Sequence, residues 1–216
     1  MVALHLYVEG GGESKALRTE CREGFRKLLE KSGLTGAMPR ITACGGRSDA
    51  FDAFKTAVSA ADGSTPILLV DAEAPVTGKK PWSHVKKRQG DGWAKPKEAR
   101  DEQLHLMVQS MEAWLVADRT ALAEFYGQGF RTKALPAATV SIEELSKDAL
   151  LGKLEAATRD AVSKGRYDKG GHSFKLLGMI GPAHVRAASA WAERFFSTLA
   201  RLASIGGPVT KPRKRR

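Results

Sequence analysis

The chain has 216 residues, 42% of them hydrophobic, and carries 35 Lys and Arg against 24 Asp and Glu, a net charge of +11. That length can bury one sizeable core. No apolar run approaches the roughly 20 residues that span a bilayer, and the opening MVALHLYVEG has no basic region ahead of its apolar stretch, which argues against a membrane anchor and a secretory signal.

Residues 3–9, ALHLYVE, predict a first strand ended by glycines. Residues 14–33 predict a helix, because Leu17, Cys21, Phe25, Leu28 and Leu29 recur at helical spacing and Gly33 stops it. A second strand over 39–45 precedes a helix over 49–62 with Ser48 as N-cap. TPILLVDAE, 65–73, is an apolar run closed by acid, the pattern of a strand buried on both faces of a parallel sheet. Strand, helix, strand, helix, strand with short connections makes a βαβαβ unit. Residues 74–102 are rich in Pro, Gly and Lys and predict a long surface loop. A fourth strand over 103–110 runs into a helix over 111–127.

The last third reads as helical. A helix over 141–162 opens with Ser141 and Glu144 at capping-box spacing. Residues 163–174 predict a polar connector turning at Gly170–Gly171, and Pro182 starts a helix over 182–203. From Gly206 the chain becomes a low-complexity basic tail, and five of the positive charges sit in the closing KPRKRR. The expected organisation is an α/β domain over 1–130, with a mostly parallel sheet flanked by helices and the basic loop 74–102 included. A helical extension over 131–205 packs on it, and a disordered tail covers 206–216. Cys21 and Cys44 stand outside any CxxC pair and read as ordinary thiols of a reducing, cytoplasmic protein. The body stays basic without its tail, which favours nucleic acid as a partner over a membrane.

Parallel α/β sheets place ligands at the carboxyl ends of their strands, and here that edge is acidic. The first strand ends in Glu9, with Glu13 close by; the third ends in Asp71 and Glu73; the fourth runs into Glu112. In an extended D-x-E both side chains point to the same side. Carboxylates held together raise one another's pKa, and a divalent cation relieves the repulsion. An all-oxygen set suits Mg2+ or Mn2+ and phosphoryl chemistry. Two nucleotide motifs fail on EGGGESK: it lacks the Gly-Lys-Ser/Thr of a P-loop, and Lys15 stands where a dinucleotide fingerprint needs its last Gly. The glycines are therefore expected to let the chain turn and a ligand approach near Glu9.

GRYDKGGHSF, 165–174, gathers phosphate-friendly groups. Lys169 is the candidate contact to a scissile phosphate, and Arg166 and His172 are candidate nucleic-acid contacts. In the long loop, Lys79, Lys80, Lys86, Lys87 and Arg88 are expected to hold a nucleic-acid backbone, while Trp82 and Trp93 anchor the loop rather than stack on bases.

YVEG with Glu9 and LLVDAE with Asp71 and Glu73 resemble the TOPRIM domain of topoisomerases, primases and overcoming-lysogenization-defect nucleases, with Glu73 in place of that family's second aspartate. LMVQSMEAWLVADR, YGQGF, LEAATRD and GRYDKGGHSFKLLGMI extend the resemblance to an uncharacterised bacterial TOPRIM-like family, over most of the chain. Members of that family are often encoded beside an ABC-type ATPase in arrangements similar to anti-phage systems. The resemblance implies a metal-dependent nuclease effector with an ATPase partner. A non-catalytic, regulatory partner subunit of that ATPase is the alternative, and nucleotidyl transfer finds no nucleotide motif to support it. Homo-oligomerisation stays open.

Overall fold

The computed structural model describes residues 3–60 and 62–205; the predicted tail, 206–216, falls outside them. Four strands, β1 (Leu4–Gly11), β2 (Arg40–Gly45), β3 (Thr65–Asp71) and β4 (Leu104–Met107), form one sheet in the order β2-β1-β3-β4. All three pairings are parallel. The chain steps from β1 outward to β2, then returns to the other side of β1 to lay down β3. This reversal opens a crevice between β1 and β3 at the carboxyl edge, where α/β sheets bind their ligands.

Every residue of β3 is buried, as its unbroken apolar run requires. Ile67 and Leu69 face one core, Leu68 and Val70 the other. The first core lies under α1 (Lys15–Leu29) and the later helices α4 (Met111–Ala117), α5 (Arg119–Tyr126), α6 (Lys147–Thr158), α7 (Lys169–Met179), α8 (Pro182–Ala188) and α9 (Ala190–Ile205). The second lies under α2 (Arg47–Ala60), α3 (Pro81–Lys87) and the segment after α3. Trp82 and Trp93 belong to this second core. Trp93 stacks on Phe51 with ring centroids 4.3 Å apart, and the Trp82 indole N–H donates to the Arg100 carbonyl at 3.4 Å. They anchor the loop, as expected. Arg194 of α9 closes over β4, donating to the carbonyls of Leu104 (2.8 Å) and Asp101 (2.9 Å).

Several element boundaries differ from expectation, each for a local reason. The end of the first predicted helix is a separate wide turn, Glu30–Leu34, with Gly33 left-handed. The second helix starts at Arg47, so Ser48 lies inside it, and Asp49 instead accepts the Gly46 N–H at 3.3 Å. The long loop contains α3, with Pro81 in its first turn. The helix predicted over 111–127 breaks at Asp118, whose carboxylate accepts the Ala121 N–H (3.0 Å) and the Gly181 N–H (2.8 Å). The Ser141–Glu144 box makes only a turn; α6 begins at Lys147 under a Ser146 cap. Gly170 and Gly171 are the first turn of α7, because the Asp168 carboxylate accepts both of their N–H groups. The last predicted helix breaks at Ser189, which caps α9 through the Ala192 N–H at 3.0 Å. Among the described residues, no helix is long and apolar enough to cross a membrane.

Candidate metal centre

Glu9 sits inside β1, not at its end. Just beyond it the register slips: Gly10 and Gly11 both pair with Gly45 of β2. Such a bulge bends the strand and re-aims the side chain beside it. Gly10, Gly11 and Gly12 all take positive φ and line the cavity beside Glu9, and close packing adds a demand of its own. A Cβ on Gly11, whose φ is 86°, would sit 2.6 Å from the Arg18 Cα, and one on Gly45 would sit 2.5 Å from the Gly12 carbonyl oxygen. Arg18 locks the turn by donating Nε–H to the Gly12 carbonyl at 2.7 Å. A cavity of about 270 Å3 remains beside it, lined by Glu9, Gly12, Asp71, Met111, Lys169 and Phe174 among others.

Glu9, Asp71 and Glu73 each bring one carboxylate oxygen to within 4.8 Å of the others. Glu9 Oε2 accepts the Asp71 backbone N–H at 3.2 Å, tying the end of β3 to β1. Asp71, 7% exposed, accepts the Met111 N–H of α4 on Oδ1 at 2.8 Å. Glu73 reaches the group by a route the extended D-x-E pattern did not foresee. The strand stops at Asp71, and Glu73 adopts a left-handed φ of 62°, a costly conformation for a residue with a side chain. It is held there by its N–H, which donates to the Gln109 carbonyl at 2.7 Å, and by Lys147, which donates to both its oxygens at 2.7 and 2.8 Å. His84 of α3 fixes the residue between, hydrogen-bonding the Ala72 carbonyl at 2.8 Å.

Cationic side chains stand around these acids. Arg47, the first residue of α2, contacts Glu9 Oε2 at 3.3 Å and donates to the Asp71 carbonyl. It is clamped from behind by Asp91, which takes two N–H groups at 2.8 Å each, and it lies over the Trp93 ring. Lys169 pairs with Glu112 at 3.1 Å. Asp71 alone among the four acids has no ion-pair partner among the described residues. Burial therefore pushes its carboxyl well above the ordinary range, Glu9 and Glu112 push the same way, and Lys169 and Lys147 only partly oppose them. Burial raises Glu9 as well, against Arg47 and the Asp71 N–H. At Glu112 the balance reverses: burial works upward, but Lys169 and its hydrogen bonds hold the carboxyl below its usual value. Asp71 is thus the anion the fold leaves least compensated, and a cation would relieve it.

The other predicted residues scatter. Glu112 is buried in α4, outside the three-carboxylate group, and Glu13 is exposed in the turn before α1. Lys79, Lys80, Lys86 and Lys87 are exposed and form no ion pair among the described residues, whereas Arg88 pairs with Asp91 at 2.8 Å. Arg166 is exposed and paired with Glu155. His172 lies in α7, its Nδ1 accepting the Asp168 N–H at 3.2 Å beside the Tyr126 hydroxyl. Both cysteines are buried, and burial pushes the Cys21 thiol up to about 12. Sequence reasoning missed Arg47, Asp91, Lys147 and Tyr167. Arg47 had one legible signal, its place just past the end of a strand at the ligand edge; Lys147 had none.

No curated protein and no solved structure matches the chain. The family profile of the domain of unknown function DUF4276 matches residues 8–200, a span that holds all three clustered carboxylates and the cations around them, and the chain belongs to that family.

Proposed function

We propose that this protein is a divalent-metal-dependent phosphodiesterase that cleaves nucleic acid, DNA or RNA. The observation that carries the reading is the carboxylate group at the β1–β3 switch point, with Asp71 buried and lacking a cation of its own. The donor set is all carboxylate oxygen, which suits a hard ion such as Mg2+ or Mn2+ held by Glu9, Asp71 and Glu73. When bound, such an ion supplies Lewis acidity for water activation and neutralises phosphate charge. The protein's own groups prepare the rest. Met111 fixes one oxygen of Asp71, which lines the cavity, and Arg47 opposes the effect of burial on Glu9 and aims it. Lys169 lines the same cavity and offers a positive charge to a phosphate oxygen. Lys79, Lys80, Lys86 and Lys87, with Arg166 and His172 as further contacts, would hold the backbone of a substrate strand.

The Glu on the first strand and the D-x-E after the third support a relation to TOPRIM nucleases. By the same resemblance the protein would act as an effector beside an ABC-type ATPase in anti-phage defence. One observation favours a second reading, a non-catalytic partner of that ATPase: Glu9, Glu73 and Glu112 already have basic partners, as in a structural charge cluster.

The test is cleavage of labelled plasmid, single-stranded DNA and total tRNA with EDTA, Mg2+ or Mn2+, alone and with the ATPase, beside Glu9→Gln and Asp71→Asn. Metal-dependent cutting lost in both variants is the expected result. No cutting under any condition would leave the binding reading.

A further inference from the structure

We infer that Glu112 and Tyr167 are positioning residues that hold the Lys169 ammonium over the cavity beside Asp71, and that Glu112 is not a fourth ligand of the metal group. The inference rests on the phosphodiesterase reading above and assigns a task to groups which that reading leaves idle.

Glu112 is 2% exposed, yet it faces the Lys169 ammonium, and none of its oxygens joins the Glu9, Asp71, Glu73 group. Its Oε1 receives both the Tyr167 hydroxyl at 3.3 Å and the Lys169 ammonium at 3.1 Å. A buried carboxylate is tolerated when paired and hydrogen-bonded, and costs several kcal/mol otherwise. Its Oε2 is buried without a partner, so the Lys169 contact is the main compensation the site offers. Tyr167 is itself fixed. Its ring is buried, and its backbone N–H donates to Thr158 Oγ1 at 2.7 Å, joining it to the end of α6.

Lys169 is the counterpart to explain. It is the first residue of α7, next to the Asp168 cap, where the helix dipole disfavours a cation. Its side chain is 53% exposed, so nothing in the packing forces it inward. A free lysine there would spread over many rotamers of its flexible four-carbon stem. Glu112 selects the one that points toward the cavity, where Asp71 and Glu73 also act on the ammonium. The first turn of α4 therefore sets two things at once: the Met111 N–H holds the Asp71 carboxylate, and the next residue holds the lysine. The separation between metal group and ammonium is fixed by adjacent residues of one buried helix.

A double-variant cycle tests this. In Glu112→Gln, turnover on the nucleic acid found above should fall about 100-fold, while the Mn2+ concentration for half-activation moves by less than about two-fold. Adding Glu112→Gln to Lys169→Met should cost nothing further, because both remove one device. Tyr167→Phe, which deletes only the hydroxyl, should move turnover the same way by a smaller factor and keeps the test alive if Glu112→Gln folds poorly. Independent multiplication of the two losses, or weakened Mn2+ binding in Glu112→Gln, would overturn the inference. A readout without activity separates it from the parent reading. Acetylation of Lys169, followed by mass spectrometry, should rise several-fold in Glu112→Gln and in Tyr167→Phe. If the wild-type protein cuts nothing, the phosphodiesterase reading fails, and this labelling alone decides whether Glu112 holds Lys169; unchanged labelling in both variants sinks it.

Discussion

The sheet face covered by α1 and the helices after residue 110 brings lysines to the carboxylates, whereas the face covered by α2, α3 and the loop brings an arginine. Lys147 and Lys169 are 35% and 53% exposed, each reaching one carboxylate from a long stem. Arg47 is 12% exposed, forked onto Asp91, stacked on Trp93 and bonded to the Asp71 carbonyl. Of the two lysines, only Lys147 pairs with a member of the three-carboxylate group, and its part-exposed ammonium would yield Glu73 to a competing cation; Arg47 is part of the wall. A planar guanidinium gripped on several sides loses little freedom per bond, while an ammonium is a point charge on a flexible four-carbon stem. The α2 side of the group is therefore built rigid, and on the other side Lys147 is the exchangeable contact.

The largest effect should come from the acid between the two sides. Asp71→Asn should lower metal-dependent cleavage about 1,000-fold or more, and retained activity would remove the centre altogether. The same variant tests the burial argument in EDTA. The folded-state pKa of Asp71 is raised, so the unfolded chain gives up this proton first. Its contribution to stability is complete below the ordinary carboxylate value, near about 4, and fades as pH rises through the folded value. Urea unfolding should find Asp71→Asn more stable than wild type at pH 8, with the gap closing toward pH 4 and wild type recovering on adding Mn2+. A gap that widens on acidification would show that Asp71 is compensated after all.

Arg47→Met comes next. It strips Asp91 of its forked partner, leaving it the Arg88 contact, and should cost about 2 kcal/mol in urea unfolding; Arg47→Met with Asp91→Leu should recover part of it. A loss below about 1 kcal/mol, the range of exposed pairs, would make the two faces alike. Replacing Lys79, Lys80, Lys86 and Lys87 by Ala should then flatten the salt dependence of single-strand binding, by a slope of about 3 if all four touch phosphates. An unchanged slope would take the loop out of the interface. The smallest change belongs to Lys147→Met. Its pair with Glu73 is part-exposed and solvent-screened, so stability should move by less than about 1 kcal/mol. Calorimetry should show Mn2+ binding tightened a few-fold once the competing ammonium is gone; weaker binding would mean that Lys147 builds the site rather than yielding to metal.

The sheet was legible because its signal is local. An unbroken apolar run closed by Asp71, and a second acid near the carboxyl end of the first strand, point to both parallel topology and ligand edge without tertiary information. Three of the helix-boundary failures share one cause, a side chain spent on the backbone. Asp118 and Ser189 sit inside good helical periodicity and break it by capping the next helix. Gly170–Gly171 reads as a turn by propensity, yet Asp168 caps it into α7, where Gly24 lets α1 come so close that a Cβ there would lie 2.5 Å from the Phe174 carbonyl oxygen. The carboxylate group was visible residue by residue, but its electrostatics were not. Lys147 is 74 positions from Glu73 and Asp91 is 44 from Arg47, and no periodicity records such pairs. Glu73 was placed on the right edge for an incomplete reason, since a left-handed turn and not strand alternation brings it in.

Arg194 has a further effect on how this molecule can meet others. β4 is only four residues long, and no strand lies beyond it among the described residues. A bare edge of that kind is a template on which a stranger's backbone can zip. By occupying the carbonyls of Leu104 and Asp101, the guanidinium takes up acceptors an incoming chain would need. The sheet is thereby protected from growing on the β4 side, and a companion that extends it would have to begin at β2.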